Sequence, residues 1–257
     1  MTSGINGKGQ LTFRGKIQNK LPRTRAGNAR LAEARRNALN TASADVTNKR
    51  MLTAAGVAAT AAGIANKADS QIIDDAIEYV HELFRANAGG HDAEHTMRVY
   101  RNTLRIAEAE PDCDVRIAAL AALLHDVDDH KLFATVDNAN ARAFLESHEL
   151  PQETIERICG IINSVSFSRN KDRRPSTAEG KVVQDADRLD ALGAVGAART
   201  FAYGGEHGRP MDDSIRHFHD KLLHLKSLMN TETGRRMAEK RHAFLEAFLK
   251  EYIAETS

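Results

Sequence analysis

The 257-residue chain contains no tryptophan, two cysteines and five prolines, and aromatic residues make up only 5% of it. Each shortage excludes something. Cys113 and Cys159 stand too far apart for a paired zinc motif and are too few for a disulfide scaffold, which fits a reducing, cytoplasmic compartment. No apolar run approaches the roughly 20 residues of a membrane-spanning helix. The longest, Met51 to Ala65, is rich in alanine and glycine, so no membrane partner is expected. Charge of one sign is not in excess either. Lys and Arg number 36 against 35 Asp and Glu, a net of +1, which excludes a uniformly basic nucleic-acid coat and a uniformly acidic chain. What remains is an ordinary globular composition, 42% hydrophobic.

The near-neutral total hides an asymmetry. Residues 1–50 carry eleven basic side chains against only Glu33 and Asp45, a net of +9, which leaves −8 for the other 207 residues. A basic start followed by an apolar stretch resembles a signal peptide, but signal peptides total roughly 15 to 30 residues and the charged part alone is longer. The composition suits a flexible, solvated extension over residues 1–68, with an organelle-targeting segment as the alternative. Such an arm attracts nucleic acid electrostatically, although Phe13 alone among its first 50 residues offers a ring for stacking.

From about residue 69 apolar residues recur at helical spacing, which sets the expected folded domain at 69–257. Ile73, Ala76, Ile77, Val80 and Phe84 form one stripe. A second helix follows Gly89-Gly90, with Val99, Leu104, Ile106 and Ala107. Pro111 ends it, and Asp112 is the expected cap of a third, very apolar helix through Ile117, Leu120, Ala121 and Leu124. Further helices are expected at about 137–148, 151–165, 181–202, 213–229 and 233–255. Leu222, Leu225 and Leu228, then Phe244, Leu245 and Phe248, provide the inner faces of the last two. The loop at 168–177 and the phrase Tyr203 to Gly208 read as connections, the latter as a mobile loop. Hairpin-bounded alternating runs are missing apart from the ambiguous Lys181-Val182-Val183, so the expected fold class is all-α.

Three polar clusters interrupt these apolar faces. His125-Asp126 closes the most apolar helix, where desolvation is costly without a compensating partner. His91 and His95 share one helical face at i, i+4 spacing. Asp185, Asp187 and Asp190 crowd a helix otherwise rich in Ala, Leu and Gly. Imidazole nitrogen mixed with carboxylate oxygen, without thiolate, suits one divalent ion with open positions, Mn, Fe, Mg or Co, with Zn also compatible.

The segments GHDAEHTMRVYRN, AALLHDVDDHKLF, VVQDADRLDALGAVGAARTFAYGG and HFHDKLLHLKSLMNTETGRRMAEKR resemble a bacterial-type subfamily of the HD superfamily of metal-dependent phosphohydrolases, over about residues 72–255. The resemblance implies a helical bundle with a central ion held by His95, His125, Asp126 and Asp187. Asp185 is the alternative to Asp187 as fourth ligand and otherwise a supporting residue. The resemblance also places a water-activating acid at Asp129, with Asp128 and His130 as weaker candidates, because HDVDDHK stands where some relatives carry HDxxED.

Phosphate esters and anhydrides suit such an ion, and their transition states call for nearby cations. Lys131, directly after the metal-binding turn, is the first candidate, and Arg188, Arg199, Lys221 and Arg241 are the others. The expected activity is hydrolysis of a phosphorylated small molecule, a nucleotide by resemblance, releasing phosphate or, in the alternative reading, pyrophosphate from a triphosphate. Two rival readings compete with this one. His91-Asp92-Ala93-Glu94-His95 is one residue from the HExxH pattern of zinc peptidases, but it carries Asp where the general base is Glu. A binding module acting through the basic arm is the non-enzymatic rival. His217, His219 and His224 do not share one helical face and are a poor second ion site.

Overall fold

The computed structural model describes residues 67–85, 92–166, 170 and 173–257. The basic arm lies outside them, as does His91, and with them the expectations of a flexible extension, a targeting segment and a nucleic-acid contact. Among the described residues the fold is all-α, with no strand. The elements are α1 (Lys67–Leu83), α2 (Ala93–Ala107), α3 (Val115–Leu124), α4 (Ala139–Ser147), α5 (Gln152–Val165), α6 (Ala178–Asp190), α7 (Gly193–Glu206), α8 (Met211–Asp220), a 3-10 helix (Leu222–Leu228) and α9 (Glu232–Thr256).

The apolar stripes organise the packing. Every member of the Ile73, Ala76, Ile77, Val80 and Phe84 stripe is buried. Helix α3 goes further, since each residue from Ile117 to Leu124 is buried, and this helix packs against α1, α2, α5 and α6. It starts at Asp114, whose carboxylate accepts the Ile117 N–H at 3.1 Å. The expected cap, Asp112, is exposed two residues earlier and does not cap the helix. Helix α2 starts on Asp92, which accepts the His95 N–H at 2.7 Å, and α6 starts on Thr177, which accepts the Gly180 N–H at 3.1 Å. Lys181-Val182-Val183 is helical, inside α6.

Three expected elements are divided differently. The helix read across 181–202 breaks after Asp190, because Leu192 is extended (φ −108°, ψ 159°) and Gly193 has φ +73°. Only glycine adopts that conformation without strain, and a Cβ on Gly193 would stand 3.2 Å from Cβ and Cγ of Arg241. The helix read across 213–229 ends at Asp220, where Lys221 leaves helical geometry (φ −135°, ψ −58°) and the chain continues as the 3-10 turn. Tyr203 to Glu206 belong to α7 rather than to a mobile loop, with Gly204 packed against Ser214 and the Tyr203 ring stacked on His207 at 3.9 Å. On α9 the buried stripe is Ala238, His242, Leu245 and Leu249, so Phe244 lies off it and is 44% exposed.

Candidate active site

The end of α3 delivers the first two polar groups. After Leu124 the chain turns tightly, with the Val127 N–H reaching the Leu124 carbonyl and the Asp129 N–H reaching that of Asp126 at 3.0 Å. Asp128 accepts the N–H groups of Asn140 and Ala141, both at 3.0 Å, and so anchors the first turn of α4. That bonding occupies it structurally. His125 and Asp126 are left pointing across the bundle toward α2 and α6.

There they meet His95 from α2 and Asp187 from α6. The Nε2 atoms of His95 and His125 are 3.3 Å apart, and Asp126 Oδ2 is 3.4 Å from each of them. Asp187 Oδ1 lies 3.5 Å from His95 Nε2. One donor atom each from His95, His125 and Asp187 lies within 4.8 Å of the others. Asp126 approaches this trio from the side, close to both imidazoles.

Hydrogen bonds behind the rings fix which nitrogen faces inward. His125 Nδ1 is 2.8 Å from the Ala122 carbonyl, and His95 Nδ1 is 2.8 Å from Asp190 Oδ2. Each Nδ1 therefore donates, and each Nε2 turns its lone pair toward the other and toward carboxylate oxygens. Such a set of facing acceptors needs a proton or a cation at its centre. Without an ion, His95 titrates near 9 rather than its usual 6.5. Burial pulls the value down, but hydrogen bonding to Asp126 and Asp190 outweighs it. Neighbouring ligands on an ion with bonds of about 2.0–2.2 Å stand about 3–3.5 Å apart, close to the spacings found here. The donor chemistry and spacing thus fit one divalent cation.

Asp190 was not anticipated as a site residue. Besides His95 it accepts from Arg98 Nε at 2.6 Å and from the Arg199 guanidinium. Burial opposes its charge, yet the bonds from His95 and Arg98 hold its carboxyl well below the usual range. Its signal in the sequence was the i+3 spacing from Asp187, which puts both carboxylates on one face of α6. Asp185 is elsewhere. It is fully buried and accepts from the Asn230 and Thr231 N–H groups and the Thr231 hydroxyl, which ties α6 to the start of α9.

In front of the cluster lies a cavity of about 220 Å³. Asp129 lines it, with its Oδ1 accepting the Lys131 N–H at 2.8 Å, and so do Lys131, Arg188, Arg199 and Lys221. Burial lowers the Lys221 pKa and the charges of Lys131 and Arg199 press it down further, while Asp187 raises it. Ser166, Ala191 and Leu225 complete the wall, where the sequence placed none of them and read Leu225 only as an inner-face residue. Arg188 also donates to the Leu228 carbonyl. Arg241 does not reach this cavity. It donates to the Leu189 carbonyl and to Asn102 Oδ1, because its position on α9 faces the other side of α6. His130 is exposed, 3.9 Å from Asp129. Among the described residues no second group of three metal-type side chains occurs, so His217, His219 and His224 form none. Burial pushes the Cys113 thiol up to about 12, so it is a poor nucleophile.

The HD domain family matches residues 92–192. The Bacillus subtilis protein YpgQ is 39% identical over 181 residues, covering 67% of this chain and 88% of its own. The chain belongs to the HD family. Among solved structures, Bacillus subtilis YpgQ in complex with ADP superposes with a TM-score of 0.64 at 33% identity, covering 73% of this chain and 96% of that one. An HD-superfamily hydrolase from Bacillus thuringiensis gives 0.61 at 38% identity, covering 73% and 97%. The expectation of an all-α HD fold therefore stands, and this HD chain has hydrolase neighbours. No helix among the described residues is long and apolar enough to cross a membrane.

Proposed function

We propose that this protein is a divalent-metal-dependent phosphohydrolase acting on a nucleotide, with His95, His125, Asp126 and Asp187 holding the ion. One observation carries the reading. Four acceptor-bearing side chains from three distant stretches converge beside a cavity into which Asp129, Lys131 and Lys221 also project. Neutral imidazole with carboxylate and no thiolate suits Mn, Fe, Mg or Co, and accommodates Zn. When bound, the ion supplies hydroxide at neutral pH and polarises a phosphoryl oxygen.

The side chains divide the remaining work. Asp129 accepts the proton of the attacking water, held in place by the Lys131 N–H on its Oδ1. Lys131 and Lys221 offset charge that builds on the phosphoryl oxygens, with Arg188 and Arg199 at the same wall. Asp190 keeps the His95 ring oriented. The ADP bound by YpgQ supports a nucleotide as substrate, and cations around a small cavity suit a phosphoanhydride. The peptidase reading loses support because Asp92, at the position of its general base, caps α2.

The test is metal analysis of purified protein followed by a nucleotide panel with Mn, Mg, Co and Zn, reading phosphate and pyrophosphate separately. Hydrolysis of a nucleoside di- or triphosphate that disappears with chelator supports the reading. Metal-loaded protein that cleaves no nucleotide would overturn it.

A further inference from the structure

A second cavity, of about 260 Å³, lies on the other side of Asp190 from the metal ligands. Arg98, Arg101, Asn102 and Arg105 line it from α2 at i, i+3, i+4 and i+7, which places all four on one helical face. Arg241 enters from α9. The start of α7 closes it, where Leu192 gives no side-chain cap and Gly193 lets Arg241 pack against the turn. Among the described residues four guanidinium groups therefore face one small space, and Asp190 is the single carboxylate in its wall. Asp190 is already shared among His95, Arg98 and Arg199. Arg101 and Arg105 have no hydrogen bond or ion pair to a described residue.

The charges repel one another. Burial lowers the pKa of Arg101, and Arg98 and Arg105 lower it further against the pull of Glu94. Arg241 is likewise lowered by burial and by Arg105 and Arg98, with Asp190 opposing. Like-charge crowding of this kind is relieved by an anion that accepts from several guanidinium groups together. The open N–H groups at the start of the fourteen-residue α7 add to the same field. Guanidinium groups converging on one space from two helices match the several oxygens of a phosphate group.

We infer that this arginine-lined cavity is a binding site for a small phosphate anion, inorganic phosphate or pyrophosphate, distinct from the candidate active site. The inference is independent of turnover, so its test runs on chelator-treated full-length protein with pyrophosphate as the probe, followed by calorimetry. The basic N-terminal arm also attracts polyanions, and the comparison between variants is therefore the reading. Arg101→Ala with Arg105→Ala should lose one class of site, with affinity falling at least tenfold, while Lys131→Ala, at the other cavity, should retain it. Should the double variant be poorly folded by thermal melting, Arg105→Glu, at an exposed position, is expected to show the same loss. An isotherm unchanged in the folded arginine variants would overturn the inference. Loss of all binding in Lys131→Ala would do the same.

Discussion

Asp126 and Asp129 are three residues apart on one turn and face the same cavity, yet their surroundings differ, and the proposed function gives them different work. Asp126 Oδ2 lies within 3.4 Å of both imidazoles, whereas Asp129 is tied to the Lys131 N–H and points toward the cavity. Asp126→Ala is expected to lose metal and turnover together. Asp129→Asn preserves the acceptor for Lys131 and removes only the basic oxygen, so it should keep the ion and lower kcat by about 10²- to 10⁴-fold. Metal content measured beside kcat separates the two, and normal turnover in Asp129→Asn would assign the proton to another group. Asp190 acts one bond further out. Asp190→Asn removes the charge behind His95 Nδ1, and outer-shell losses of this kind cost about 10- to 100-fold in metal affinity. Titration with Mn²⁺ checks it, and unchanged affinity would reduce Asp190 to an ion-pair partner of Arg98 and Arg199. The convergence of His95, His125, Asp126 and Asp187, the proposed ligand set, was legible because imidazoles and carboxylates at the ends of apolar helices are conspicuous. Asp190 and Arg98 were not legible as partners, since a bond between residues 92 positions apart depends on how α2 meets α6. Arg241 was misplaced for the same reason, as a lysine or arginine can be counted in a sequence but its facing cannot.

At the level of elements, α1 and α2 were readable because an apolar face is buried along each length, and α3 because it is apolar and buried almost throughout. The breaks inside 181–202 and 213–229 carried no proline. Their cause is tertiary. Asp190 must face α2 while α7 sets off in a new direction, and the change is concentrated in Leu192 and Gly193. Gly193→Ala therefore places a Cβ at φ +73° and 3.2 Å from the Arg241 side chain. The left-handed conformation alone costs about 1–2 kcal/mol for an ordinary residue. Thermal melting is expected to show that loss, and a variant melting at the wild-type temperature would mean the turn relaxes without strain. Gly196, three residues on, is under a comparable constraint, because a Cβ there would run into the Ala191 carbonyl. The two glycines act in the helix break itself.

For the whole molecule the cluster is a cross-link among parts of the chain that lie far apart in sequence. His95, His125 and Asp187 come from α2, the end of α3 and α6, and these three helices pack mutually in the core. The facing acceptors repel one another until a proton or cation lies between them, so an ion should stabilise the fold as well as equip it for chemistry. Binding to the folded state alone adds about 2.7 kcal/mol when the free ion is at 100 times its Kd. For a folded unit of about 190 residues, each kcal/mol raises Tm by about 2–4 °C, which sets the expected rise at about 5–10 °C. Melting curves of chelator-treated protein, with and without Mn²⁺, measure it. The same experiment on His125→Ala isolates the site, because that variant removes one ligand and should flatten the response. An equal metal-dependent rise in His125→Ala would locate the stabilising ion elsewhere, and the convergence of the three helices would then serve packing rather than coordination.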